Sequence, residues 1–187
     1  MTTNQSIDDV AVRIGVLFYE SSVEVDAIMT TAVAYIRARG ITVGGLLQRF
    51  GERLPNGKNR MWVDDIVTGQ SIRLDLPRGA HARACIVDPD ALAQAACMLR
   101  RTIEARPGLI VVNRFGHAEA DGGGMRAEIA DAIFSGATVL LAARISYREA
   151  LEAFLGGPPT VLPLETSAVI EWIERAAASE QAENAGS

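Results

Sequence analysis

Apolar and polar positions along the chain alternate between two kinds of segment. Ile14-Gly15-Val16-Leu17-Phe18-Tyr19 is a continuous apolar run, the pattern of a strand buried on both faces of a parallel sheet. Ile41 to Leu47, Leu109 to Val112, Thr138 to Ala142 and the shorter Thr160 to Leu162 repeat it. Helices are predicted between these runs. The first has Ser21 and Glu24 as a capping box and ends before Gly40. A second opens at Asp88-Pro89, an N-cap followed by proline at the first position, and runs to about Ala105. Others span about Met125 to Ser135, start at a second capping box, Ser146 to Glu149, and run from Thr166 to Ala177.

Residues 48–84 break this rhythm. Met61 to Val67 and Ser71 to Leu76 alternate apolar and polar residues around Thr68-Gly69-Gln70, which predicts a β-hairpin with one solvated face. The whole reads as one α/β domain over residues 11–177. It is a three-layer sandwich with a mainly parallel sheet and an antiparallel hairpin insertion at about 58–78. Residues 1–10 and 178–187 read as flexible tails. Ligands in such folds bind outside the carboxyl ends of the strands, which directs attention to residues 19–24, 48–52, 113–124 and 143–147.

Composition narrows the function. No apolar run approaches the ~20 residues that span a bilayer, so membrane partners are not expected and the expected compartment is cytoplasmic. A net charge of −5 speaks against nucleic acid but not against a small anionic ligand. Cys85 and Cys97 form neither a disulfide framework nor a zinc knuckle; both read as buried apolar positions, and Trp62 and Trp172 as packing anchors. His81 reads as a solvated turn residue. No Gly-x-Ser-x-Gly or His-Glu-x-x-His occurs, leaving serine hydrolase and zincin readings without support. Of 18 basic residues only Lys58 is a lysine.

That single lysine bears on the first loop. Tyr19-Glu20-Ser21-Ser22 holds neither the glycines nor the lysine of a phosphate loop. Glu20, Glu24 and Asp26 instead put carboxylates at the helix start, where they suit the dipole and repel phosphate; no metal site is assigned to them. The third loop, Asn113 to Gly124, is long for such a fold. Gly122, Gly123 and Gly124 before a helix make a candidate anion cradle, Asn113 a hydrogen-bonding group, and His117 and Glu119 candidate acid–base groups. Arg49, Arg114 and Arg144 each follow a predicted parallel strand, so their guanidiniums would converge on one rim and grip an anion.

Asn113-Arg114-Phe115-Gly116-His117-Ala118-Glu119-Ala120-Asp121-Gly122-Gly123-Gly124 resembles the hallmark Asn-basic-Phe-Gly-x-x-Glu-x-x-Gly-x-Gly of a bacterial family of uncharacterised domains related to small P-loop nucleoside-triphosphatases. Gly44 to Gln48 and Asp88 to Leu92 fit it too, and the resemblance covers about residues 12–175. It implies a P-loop-like fold and an occasional association with molybdenum transport or cofactor genes. The Walker A glycines and lysine are missing from residues 19–26, and Asn113 stands where a Walker B aspartate would sit.

These observations lead to a non-hydrolytic protein that binds a nucleotide or small oxyanion through Arg49, Arg114, Arg144 and the Gly122–Gly124 backbone, with Asn113 and Glu119 orienting it. An accessory role in molybdenum or metal-cofactor metabolism goes with that reading. One alternative is a metal-dependent nucleoside-triphosphatase or phosphotransferase with Glu119 as base and Mg as its metal. The other is a regulatory or assembly partner, pairing with itself or another protein through the hairpin edge.

Overall fold

The computed structural model describes residues 13–54, 57, 59–76 and 87–185, with side chains to residue 179. Seven strands form one sheet: β1 (Ile14–Tyr19), β2 (Val43–Arg53), β3 (Asn59–Asp65), β4 (Ser71–Arg73), β5 (Leu109–Phe115), β6 (Thr138–Arg144) and β7 (Thr160–Val161), in the order β4-β3-β2-β5-β6-β1-β7. The pairs β2–β5, β5–β6, β6–β1 and β1–β7 are parallel, and β2–β3 and β3–β4 antiparallel. The expected hairpin is therefore present, continued from β2 as a three-stranded meander. Residues 77–86, with His81 and Cys85, lie outside the described residues.

Helices cover both faces. α1 (Ser22–Ala38) and α6 (Thr166–Ala185) pack on one, α2 (Pro89–Ala105), α4 (Arg126–Phe134) and α5 (Arg148–Leu155) on the other, with the short α3 (His117–Ala120) after β5. α1 buries Val25, Ile28, Met29, Ala32, Val33 and Ile36, the three-and-four spacing of an amphipathic helix. Strand side chains alternate between two cores: Leu109, Val111, Leu140 and Ala142 face α1 and α6, and Ile110, Val112, Val139 and Leu141 the other layer. At Gly45, with φ of +114°, an added Cβ would meet the Val111 backbone nitrogen at 2.7 Å, so only glycine lets β2 lie this close to β5.

Several expectations need correction. β2 runs to Arg53, so residues 48–52 are strand and not loop. β5 takes in Asn113, Arg114 and Phe115, and α3 follows at once, leaving little of the expected long loop. Ser21 is the N-cap of α1 but its side chain makes no capping bond. Ser146 falls inside a 3-10 turn (Ile145–Tyr147) that delays α5 to Arg148, so its capping box does not form. Asp88 does cap α2, accepting from the Asp90 N–H at 2.9 Å. Cys97 is exposed rather than core, and α6 continues through residues assigned to the tail. Among the described residues no helix is long and apolar enough to cross a membrane.

Candidate functional site

The carboxyl ends of β2, β5, β6 and β1 lie side by side. From Tyr19 the chain turns through Glu20 and Ser21 alone into α1 on one face, whereas β6 leads to α5 on the other. Departure to opposite faces opens a crevice between β1 and β6, the usual position of a ligand in an open α/β sheet. The β1–α1 connection is two residues long, Glu20 and Ser21.

Asp26, one turn into α1, organises this edge. A register shift in β5 between Asn113 and Phe115 lets two consecutive side chains reach the same carboxylate instead of opposite faces; the Asn113–Arg114 peptide is cis. Asn113 Nδ2 donates to Asp26 Oδ1 at 2.8 Å, and Arg114 Nη2 donates to the same oxygen at 2.6 Å. Arg114 Nη1 donates to the Tyr19 hydroxyl at 2.6 Å. The Arg114 guanidinium also lies 5.0 Å from the centre of the Tyr19 ring and 5.5 Å from that of Phe50. Burial pushes the Asp26 carboxyl above its usual range, against the pull of Asn113 and Arg114. Burial likewise raises the Tyr19 phenol, with Arg114 and Arg144 drawing it back. Asp26 Oδ2, Asn113 Oδ1 and Arg114 Nε are buried without partners, an uncommon concentration of unmet polar groups in one place.

Arg144 ends β6 on the same rim. It is exposed, and among the described residues its guanidinium makes no ion pair or hydrogen bond. Arg49 is elsewhere. Read as a loop residue it would join the rim, but as a strand residue it alternates outward while Gln48 and Phe50 line the cleft. It donates to Asp64 Oδ2 at 2.6 Å and covers the Trp62 ring at 5.0 Å.

Glu119 is 5% exposed and turned inward. Its Oε2 accepts from the Gly116 N–H at 2.9 Å and its Oε1 from the Met125 N–H at 3.0 Å, tying the starts of α3 and α4 to one carboxylate. The glycines fold back on this arrangement. Gly122 N–H donates to Glu119 O at 3.2 Å and Gly123 N–H to Ala118 O at 2.9 Å, and none of the three glycines lines the cleft. An added Cβ at Gly123 meets only Ala118 O, at 3.5 Å. His117 is exposed, 3.4 Å from Asp121 and stacked on Tyr147. Among the described residues no three metal-ligating side chains come together.

The cleft has a volume of about 700 Å³. Arg114, Arg144, Asn113, Tyr19 and Gln48 supply its polar side. Met61, Val63, Leu74, Val87, Leu92 and Ala95 form an apolar wall between the meander and α2. Gln48 and Tyr19 did not stand out in the sequence, since each closes an apolar run and reads there as a strand end.

Comparison with known proteins places this arrangement. The pattern of the DUF2478 family, described as proteins of unknown function, matches residues 14–172, from the first residue of β1 into α6. The chain belongs to the DUF2478 family. A curated relative of this DUF2478 chain is the molybdenum import ATP-binding protein ModC 2 of Bradyrhizobium diazoefficiens. The two are 31% identical over 160 residues, 86% of this chain and 18% of that protein. The chain thus spans less than a fifth of the length of the relative it matches. Among solved structures, that of a human cancer-related nucleoside triphosphatase superposes with a TM-score of 0.57 at 14% identity, covering 90% of this chain and 97% of that one. At that identity the likeness establishes the fold: a P-loop nucleoside-triphosphatase-like α/β sandwich.

Proposed function

We propose that this chain binds a nucleotide or small oxyanion at the carboxyl-end rim and does not hydrolyse it. The observation that carries the reading is the guanidinium of Arg144, which makes no ion pair or hydrogen bond among the described residues, on the rim it shares with Arg114 and beside a β1–α1 connection of only Glu20 and Ser21. A guanidinium not committed to an internal ion pair or hydrogen bond presents a fork of donors matched to an anion. The relative's name supports a nucleotide and a link to molybdenum import, so an accessory role beside molybdenum transport, with Walker A chemistry lost, is part of the proposal. Binding without turnover is further supported by Glu119, which is 5% exposed and holds a backbone N–H on each oxygen; a base must reach the proton it takes. The anion-binding set is therefore Arg144 and Arg114, with Asn113 beside them and Glu119 holding the loop. Arg49 and the glycine backbone leave that set.

Two assays on one preparation test this. Phosphate release from ATP and GTP with Mg is expected to stay far below ordinary enzyme rates of about 1 s⁻¹, while ATP, pyrophosphate or molybdate raises the melting temperature. Turnover near 1 s⁻¹ that survives Lys58→Ala would overturn the proposal, as would the absence of a shift with every anion.

A further inference from the structure

The cleft holds more than an anion needs. At roughly 30 Å³ per water-sized oxygen, a tetrahedral oxyanion fills on the order of 100 Å³, against a cleft of about 700 Å³. The whole volume is that of a site for an organic molecule. Its apolar wall, Met61, Val63, Leu74 and Leu92, would stay wet beneath a bare oxyanion. Beside this wall, in register with Val63, the polar side of the cleft contributes Gln48. Gln48 is only 9% exposed, lines the cleft, and among the described residues its carboxamide has no hydrogen-bond partner. Asn113 lines the same cleft but its amide is committed to Asp26 and its Oδ1 is closed off, which leaves Gln48 as the amide open to a ligand. The Gln48 carboxamide, with a donor and an acceptor uncommitted beside Val63 of the apolar wall, is free to pair with a ligand that enters the cleft.

A glutamine carboxamide sets one donor beside one acceptor. That pair matches the neighbouring donor and acceptor on the edge of a nucleobase. From these placements we infer that the ligand is a nucleotide bound base-inward: the heterocycle sits against the apolar wall with its edge on Gln48, and the phosphate remains at the rim with Arg144 and Arg114. This rests on the reading that the rim binds an anion, and adds which class of anion and which way round. Phosphate-first binding, in which a loop wraps the phosphates, is thereby replaced by base-first binding. Gln48 becomes the residue that separates nucleotides from other phosphates.

The test compares AMP, GMP and UMP with ribose 5-phosphate and pyrophosphate by calorimetric titration, on the native protein and on Gln48→Met, which keeps length and removes both polar atoms. At least one nucleotide is expected to bind tenfold or more tighter than ribose 5-phosphate. Gln48→Met is expected to erase that margin while leaving pyrophosphate within twofold. On the native protein, nuclear Overhauser contacts from base protons to the Met61 and Met125 methyls are expected, which keeps the test open if the variant does not fold. Nucleotides binding no tighter than ribose 5-phosphate and pyrophosphate would overturn this inference and leave the anion reading standing. A margin that survives Gln48→Met, or absent methyl contacts, would also overturn it. If none of the five probes binds, both fall together.

Discussion

Removing the Glu119 carboxylate should cost the fold far more than an acidic loop residue ordinarily would. Glu119→Ala leaves the Gly116 and Met125 N–H groups, now bonded at 2.9 and 3.0 Å, facing a cavity in a site where the carboxylate is 5% exposed. A hydrogen bond to a charged acceptor contributes about 1.5–3 kcal/mol, and an orphaned buried donor loses a similar amount. Two such bonds give about 3–6 kcal/mol, a large share of the ~5–15 kcal/mol that holds a domain together. Glu119→Gln keeps one carbonyl acceptor but turns an NH₂ toward the other N–H, so it should fall about midway. Urea unfolding with a constant m-value measures both. A loss below ~1 kcal/mol for Glu119→Ala would refute the structural role and free the carboxylate for the catalytic one.

Further outcomes follow from the same geometry. Gly124 has a φ of +60° and an added Cβ would strike Glu119 Oε1, so Gly124→Ala should lose about 2–4 kcal/mol, whereas Gly123→Ala should stay within ~0.5 kcal/mol; equal losses in urea unfolding would contradict this. The Tyr19 phenol, raised by burial, should ionise above its normal value of 10.0. Its contribution to stability is then fully present below about pH 10, where the unfolded phenol titrates, and is lost as pH rises through the folded value. Absorbance near 295 nm should show one late-titrating phenol that disappears in Tyr19→Phe, and a native titration indistinguishable from free tyrosine would refute it. Arg49→Ala, which removes an outward-facing pair with Asp64, should leave pyrophosphate affinity within twofold; a tenfold loss would return Arg49 to the rim.

Much of this architecture was legible from apolar runs alone, because strands buried on both faces have nothing else to be made of. The strand ends were not. Gln48-Arg49-Phe50 and Asn113-Arg114-Phe115 read as loops because polar residues interrupt the run, yet those polar residues are what the carboxyl ends present to a ligand. Read as a loop, residues 48–52 put Arg49 on the rim and hide Gln48, although strand alternation sets the two on opposite faces. Asp26 was visible as a helix-start carboxylate; that it collects Asn113 and Arg114 depends on the register shift in β5, which no local pattern encodes. The three glycines signalled an unusual turn correctly, but whether their N–H groups face a ligand or their own carbonyls is decided by Glu119, whose inward rotamer the sequence does not announce.

The claim that the rim of Arg144 and Arg114 binds an anion is tested most directly by titrating pyrophosphate into the native protein, Arg144→Ala and Arg175→Ala at one ionic strength. Arg144 makes no ion pair or hydrogen bond among the described residues, so its removal should disturb the fold little. Arg175 lies on α6, exposed and 3.8 Å from Glu171, far in sequence and topology from the rim. A guanidinium–anion contact contributes about 1.5–3 kcal/mol, tenfold or more in affinity. The account predicts that Arg144→Ala weakens pyrophosphate by at least tenfold at an unchanged melting temperature while Arg175→Ala binds as the native protein does. Equal affinities in all three proteins would contradict it.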